Sequence, residues 1–190
     1  MRAFSSYIYK FLGILFLIGY ALPLSAADID SFEATLWRPV TDSSPYLTLY
    51  ESHVRPKGGY HFGFTINYAE SPLRKENFLN VNDDPIIRHV VGHFLMAYSA
   101  TDYLNLGLHA PFVFYNHFAD PDSALEETEF SLGDIEINSK IRVFDGRNRK
   151  IGLAFLPYIT FPTGSGYKFT GLNDFSGGIK VISDRDWGKW

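Results

Sequence analysis

Two sets of side chains in this sequence have types and spacings that chemistry can use. The first is histidine. His89 and His93 are four residues apart, which on a helix would make them neighbours able to share a metal ion. On a strand they sit roughly 13 Å apart at about 3.3 Å per residue, too far for one zinc. His93 and His109 form a better pair. If Ala100, Thr101 and Asp102 make a three-residue hairpin, the two imidazoles face each other across strands, where Cβ atoms lie about 4.5–5.5 Å apart. Two hydrated histidines explain the pair without a metal, and we expect neither metal nor cofactor. The second set is Asp134, Glu136, Lys140 and Arg142. Carboxylates two apart on one face of a strand couple electrostatically and can serve acid–base chemistry. A polar wall that tunes solute passage or forms internal ion pairs accounts for them without catalysis.

Other reaction classes lack their residues. There is no cysteine, which excludes disulfides, thiolate metal sites, a cysteine nucleophile and a lipid-modified cysteine. No serine has the Gly-x-Ser-x-Gly spacing of a nucleophile elbow. Gly164-Ser165-Gly166 lacks the following helix and Lys-Ser/Thr ending of a phosphate loop. The expectation is a protein that is not an enzyme.

The elements that must position these residues are strands. Side chains on a strand point alternately to its two faces, so a two-residue period marks a strand between unlike surroundings. Asp134, Glu136, Asn138, Lys140 and Arg142 alternate with Ile135, Ile137, Ser139, Ile141 and Val143. His61, Gly63, Thr65 and Asn67 alternate with Phe62, Phe64, Ile66 and Tyr68. Asn105, Gly107 and His109 alternate with Leu104, Leu106, Leu108 and Ala110. The pattern predicts strands at 32–38, 46–53, 60–69, 86–99, 103–115, 133–144, 150–161 and 174–183, with a ninth starting near Trp187. Several reach ten residues, the roughly 9–11 that a tilted membrane strand needs. From Val54 on, short links (54–58, 100–102, 145–149, 184–186) alternate with long ones (70–85, 116–132, 162–173), the asymmetry of transmembrane barrels. Pro157 predicts a bulge, and Gly177-Gly178 a bulge or a close approach of strands.

Solvation decides which face meets which solvent. Hydrocarbon cannot hydrogen-bond a carboxylate or ammonium, and Lys or Arg at the midplane of a barrel costs about 2–4 kcal/mol. The Ile/Val face therefore points outward, and the charged face lines a lumen together with His61, Thr65, Asn67, His89, His93, Asn105 and His109. Tyr158 and Lys180 join that lining. Val91 and Leu95 share the inward parity. Tyr46, Tyr60, Tyr68, Tyr98 and Tyr115, near strand ends, suit interfacial girdles. The architecture expected is all-β, an antiparallel up-and-down transmembrane barrel incomplete at its C-terminus.

The first residues fit export. Arg2 and Lys10 precede an apolar run from Phe11 to Leu24, and Ser25-Ala26-Ala27 supplies small side chains for cleavage. Residues 1–27 read as a signal peptide and 28–190 as a partial barrel; an uncleaved anchor is the alternative. Loss of Arg2 and Lys10 leaves 15 of the 17 basic residues against all 21 acidic ones, moving the formal charge from −4 to −6. That balance argues against a nucleic-acid partner.

Several segments also carry a resemblance: Tyr60 to Arg74 (YHFGFTINYAESPLR), Ala100 to Pro111 (ATDYLNLGLHAP), Leu132 to Ile135 (LGDI) and Leu156 to Gly164 (LPYITFPTG). Together they resemble a family of Gram-negative outer-membrane barrels described as transporter-like. That family is related to the phenol-degradation MetA-pathway barrels and is often found N-terminal in OmpA-type proteins. The similarity spans most of 32–183 and rests on glycine, proline and turn positions. It implies an outer-membrane location, membrane lipid and the barrel assembly machinery as partners, and transport of small solutes; it transfers no site residues. Counting strands from a periplasmic N-terminus leaves the ninth unpaired, an edge that lipid forbids. The chain therefore reads as a fragment. Three functions stay open: a porin or transporter-like channel, a filled barrel that anchors an envelope domain, and a soluble periplasmic β-sandwich.

Overall fold

A computed structural model describes residues 37–73, 86–118, 126–128, 130–147, 151–166 and 170–185. The expected signal peptide, residues 32–36 of the first expected strand and the ninth strand near Trp187 lie outside them. Within them the protein is all-β: β1 (Tyr60–Leu73), β2 (Ile86–Thr101), β3 (Leu104–Phe118), β4 (Glu126–Thr128), β5 (Ser131–Leu132), β6 (Ile135–Phe144), β7 (Gly152–Phe161) and β8 (Ser176–Asp184). They form one antiparallel sheet in the order β1-β2-β3-β6-β7-β8, with β4 and β5 also paired to β3. Along β3, Leu104–His109 face β6, Phe112 and Val113 face β5, and Asn116–Phe118 face β4. β4, β5 and β6 thus make up one interrupted partner strand, of which β4 and β5 lie in the stretch 116–132 that the sequence pattern assigned to a long link.

Six of the eight expected strands are present with nearly the expected bounds, and the two-residue period is cleanest in β1 and β6. The expected strand at 46–53 is absent. Residues 37–59 instead form an irregular strap across one face of the sheet. Its backbone is held by local side chains, which compete with ladder formation. Asp42 accepts from the Ser44 amide at 3.0 Å and its hydroxyl at 2.6 Å, and the Ser44 hydroxyl accepts from the Glu51 amide at 3.1 Å. The strap ends in a turn in which the Gly59 amide donates to the Pro56 carbonyl, with Gly58 in the left-handed region at φ 84°.

Among the described residues the sheet is open, with β1 and β8 as free edges; the barrel expected from the sequence is itself an incomplete one. Pro157 produces no bulge, since its pairing with Ile179 keeps the register of its neighbours. The shift in β3 falls at Phe114, where Val90 pairs with Tyr115 but Val91 with Val113. That extra residue reverses the parity and turns Asn116 onto the same face as His89. Gly177 and Gly178 mark a close approach, because a Cβ on Gly178 would meet the Tyr158 ring.

The two faces have opposite character. The face carrying the strap, here the inner face, buries Val91, His93, Leu95, Asn105, His109, Glu136, Asn138, Lys140 and Leu156. The outer face leaves Tyr60, Phe62, Phe64, Ile66 and Tyr68 each more than half exposed, with Tyr98, Leu106, Ile137, Ile159, Ile179 and Val181 beside them. A small apolar cluster, Ala154, Leu156 and Ile182 under Tyr50 and Tyr158, sits where β7 and β8 meet the strap. The inner face thus buries polar groups beside Val91, Leu95 and Leu156, while large apolar side chains are bare on the outer face.

Candidate functional site on the inner face

The charged residues of β6 share the inner face, and the strap engages them in sequence. Arg38 reaches Glu136 at 3.4 Å. The Thr41 hydroxyl donates to Asn138 Oδ1 at 3.2 Å, and Asn138 Nδ2 donates to Glu136 Oε1 at 3.0 Å. Lys140 is ion-paired with Asp42 and donates to the Glu51 carbonyl at 3.0 Å. Arg142 meets Asp145 at 2.8 Å, and His53 approaches the same carboxylate at 3.1 Å. Ser52 ties the strap to Asp184, which ends β8, at 2.8 Å. Glu136, Asn138 and Lys140 are almost fully buried, and buried charges persist where partners satisfy them. Asp134 lies just before β6 and serves the 162–175 loop, taking the Gly164 amide at 2.8 Å and the Leu172 amide at 2.6 Å.

Two groups outside the strands show the electrostatics. Burial pushes the Tyr50 hydroxyl up to about 12 against the hydrogen bonds from Thr41, so it stays protonated. Burial also raises Asp145, but the Arg147 amide, His53 and Arg142 outweigh it and hold the carboxyl below its usual value.

The histidines gather on β2 and β3. Their hairpin turns at Asp102 and Tyr103, not at 100–102, so the register differs from the expected one: His93 lies opposite Pro111, and His109 opposite Leu95. The rings nevertheless meet on the diagonal, with His93 Nδ1 and His109 Nε2 2.9 Å apart and ring centroids at 5.1 Å. Trp37 packs edge-on against His93 at 5.1 Å. His89 pairs with Asn116 at 3.2 Å, and Asn105 donates to Ser99 at 3.1 Å. Among the described residues no group of three or more His, Asp or Glu is placed to hold a metal.

The remaining expected residues lie near the two edges. His61, Thr65 and Asn67 line the inner face of β1, half-buried. Lys180 on β8 lies over the Tyr158 ring at 4.7 Å and the Tyr50 ring at 5.7 Å, and 4.0 Å from Glu136. The sequence reading missed the strap residues Trp37, Arg38, Thr41, Asp42, Tyr50 and Ser52. One signal for them was present: a strand at 46–53 would put Glu51 on the same face as Leu47 and Leu49. The arrangement can hold a segment against a polar wall, neutralise charge and offer hydrogen bonds to a solute. No protein-family model matches the chain, and no curated protein or solved structure matches it.

Proposed function

We propose that this chain is wall and interior of a Gram-negative outer-membrane β-barrel that passes small solutes, as the resemblance of its turn and glycine segments implies. One observation carries the reading: a continuous bare apolar face backs onto a buried polar one. Lipid hydrocarbon favours the first and disfavours any outward charge. Tyr60 and Tyr98, register partners, stand at the short-turn end, and Tyr68 stands eight residues up β1. That separation is about 27 Å along the strand at about 3.4 Å per residue. Before tilt it is close to the about 25 Å apolar band between the aromatic girdles of such barrels. The free edges of β1 and β8 would require further strands, since lipid leaves no unpaired backbone.

A second reading, a filled barrel that anchors the envelope without conducting, is favoured by the strap itself, which occupies much of the inner face. Planar-bilayer recording on the full-length protein separates the two. Stepwise conductance supports the channel, and an inserted protein silent at every voltage leaves the anchor. If the protein fails to insert into lipid and stays monomeric in detergent-free buffer, both readings fall and the soluble sandwich takes their place.

A further inference from the structure

The strap divides the inner face into two unlike parts. Over β6 to β8 it engages the charged side chains: Glu136 pairs with Arg38, Lys140 pairs with Asp42, and Asp184 accepts a hydrogen bond from Ser52. Over β1 no Lys, Arg, Asp or Glu lies on the inner face, and His61, Gly63, Thr65, Asn67 and Ala69 form a strip without a fixed charge. Two polar atoms beside that strip have no hydrogen-bond partner although both are buried: Thr65 Oγ1 and His93 Nε2. Thr65 and His93 are direct register partners, and His93 is fully buried. A buried unpaired donor or acceptor costs about 1–3 kcal/mol, so two side by side ask for a reason. Trp37 packs edge-on over His93, and Asn67 follows Thr65 along the same face of β1.

We propose that Thr65 and His93, under Trp37 and beside Asn67, form a binding site for an uncharged solute that offers a hydroxyl or carbonyl oxygen, whereas the β6 charges mount the strap and do not select solutes. The site rests on the barrel reading above. An imidazole nitrogen and a threonine hydroxyl can each give or take one hydrogen bond, and an indole edge supplies apolar contact. A charged solute would find no counter-charge on this strip and would lose its hydration there.

The chain has no cysteine, so single-cysteine variants of the full-length protein in lipid vesicles read the interior directly. Asn67→Cys and His61→Cys should react with a membrane-impermeant maleimide. Asn138→Cys, or Ala154→Cys if that variant fails to fold, should react about tenfold more slowly or less, because the strap must first open. Equal rates overturn the division. Vesicle swelling then tests the site with arabinose as neutral probe and gluconate as anionic probe. Arabinose should enter faster, and Thr65→Val should slow it about two- to tenfold, the ratio set by one hydrogen bond. Asp42→Asn with Lys140→Met should leave the preference for arabinose unchanged. Unaltered arabinose entry in Thr65→Val, or a preference that follows the Asp42–Lys140 pair, overturns the site. If neither probe enters although the labelling pattern holds, the channel reading falls. Arabinose protection of Asn67→Cys from maleimide then decides the site, and absence of protection overturns it.

Discussion

At the scale of single residues, the buried pair of Lys140 and Asp42 has the most at stake. Both side chains are nearly inaccessible, so removal of one leaves the other charged without a partner. Lys140→Met should destabilise the fold by about 3–5 kcal/mol. Adding Asp42→Asn should recover most of that, because the amide oxygen can still accept from Ser44. Denaturant unfolding of the four proteins of the cycle measures the coupling, and strict additivity would refute the pairing. Asp145 makes a different prediction. Its carboxyl is held below the ordinary value of 3.8, so its contribution is complete above that value and is lost as pH falls through the lower folded value. Thermal midpoints of wild type should drop over that acid range more steeply than those of Asp145→Asn. Parallel curves would show that Asp145 adds nothing.

At the scale of elements, the strap and the sheet are joined where Gly107 lets them approach. A Cβ there would land on Thr41 Oγ1 and Asn138 Oδ1. Gly107→Ala should therefore lift the strap at a cost of about 1–3 kcal/mol of overpacking. Limited proteolysis should then cut within 43–49 faster than in wild type while β1 to β8 stay protected, and unchanged cleavage would separate the strap from Gly107. The same contrast explains what the sequence made legible. Strands such as 60–69 and 133–144 could be read because one face is apolar and the other polar at every second residue. The inward parity of Val91, Leu95 and the β6 charges could be read for the same reason. The strap could not, because Tyr46 to Ser52 also alternates, while the partners that dock it on β6 lie about 90 or more residues away, as with Arg38 and Glu136. Period alone cannot distinguish a segment that pairs by backbone from one that docks by side chains. The unexpected register of His93 and His109 has a local origin, in a two-residue turn at Asp102 and Tyr103 flanked by a register shift between Ser99 and Thr101.

At the scale of the whole molecule, the question is which solvent the bare face meets, and lysine placed on that face tests it. Ile137 is 44% exposed on the outer face while its neighbours Glu136 and Asn138 are 3% exposed on the inner one. In water, replacement of an exposed apolar side chain by lysine changes stability by no more than about 0.5 kcal/mol in either direction and improves solubility. In a bilayer the same change near the midplane costs about 2–4 kcal/mol. Phe64→Lys, midway between Tyr60 and Tyr68 on the outer face of β1, should thus lower the denaturant midpoint of protein folded into vesicles by the larger amount. Tyr60→Lys, at the short-turn end of β1, should cost about 0–1 kcal/mol, because lysine at the interface reaches water. The gradient between the two sites is the test, since a core defect would not depend on depth. Equal and small effects at both positions would mean that the apolar face meets water or another protein, and the outer-membrane reading would fail with them.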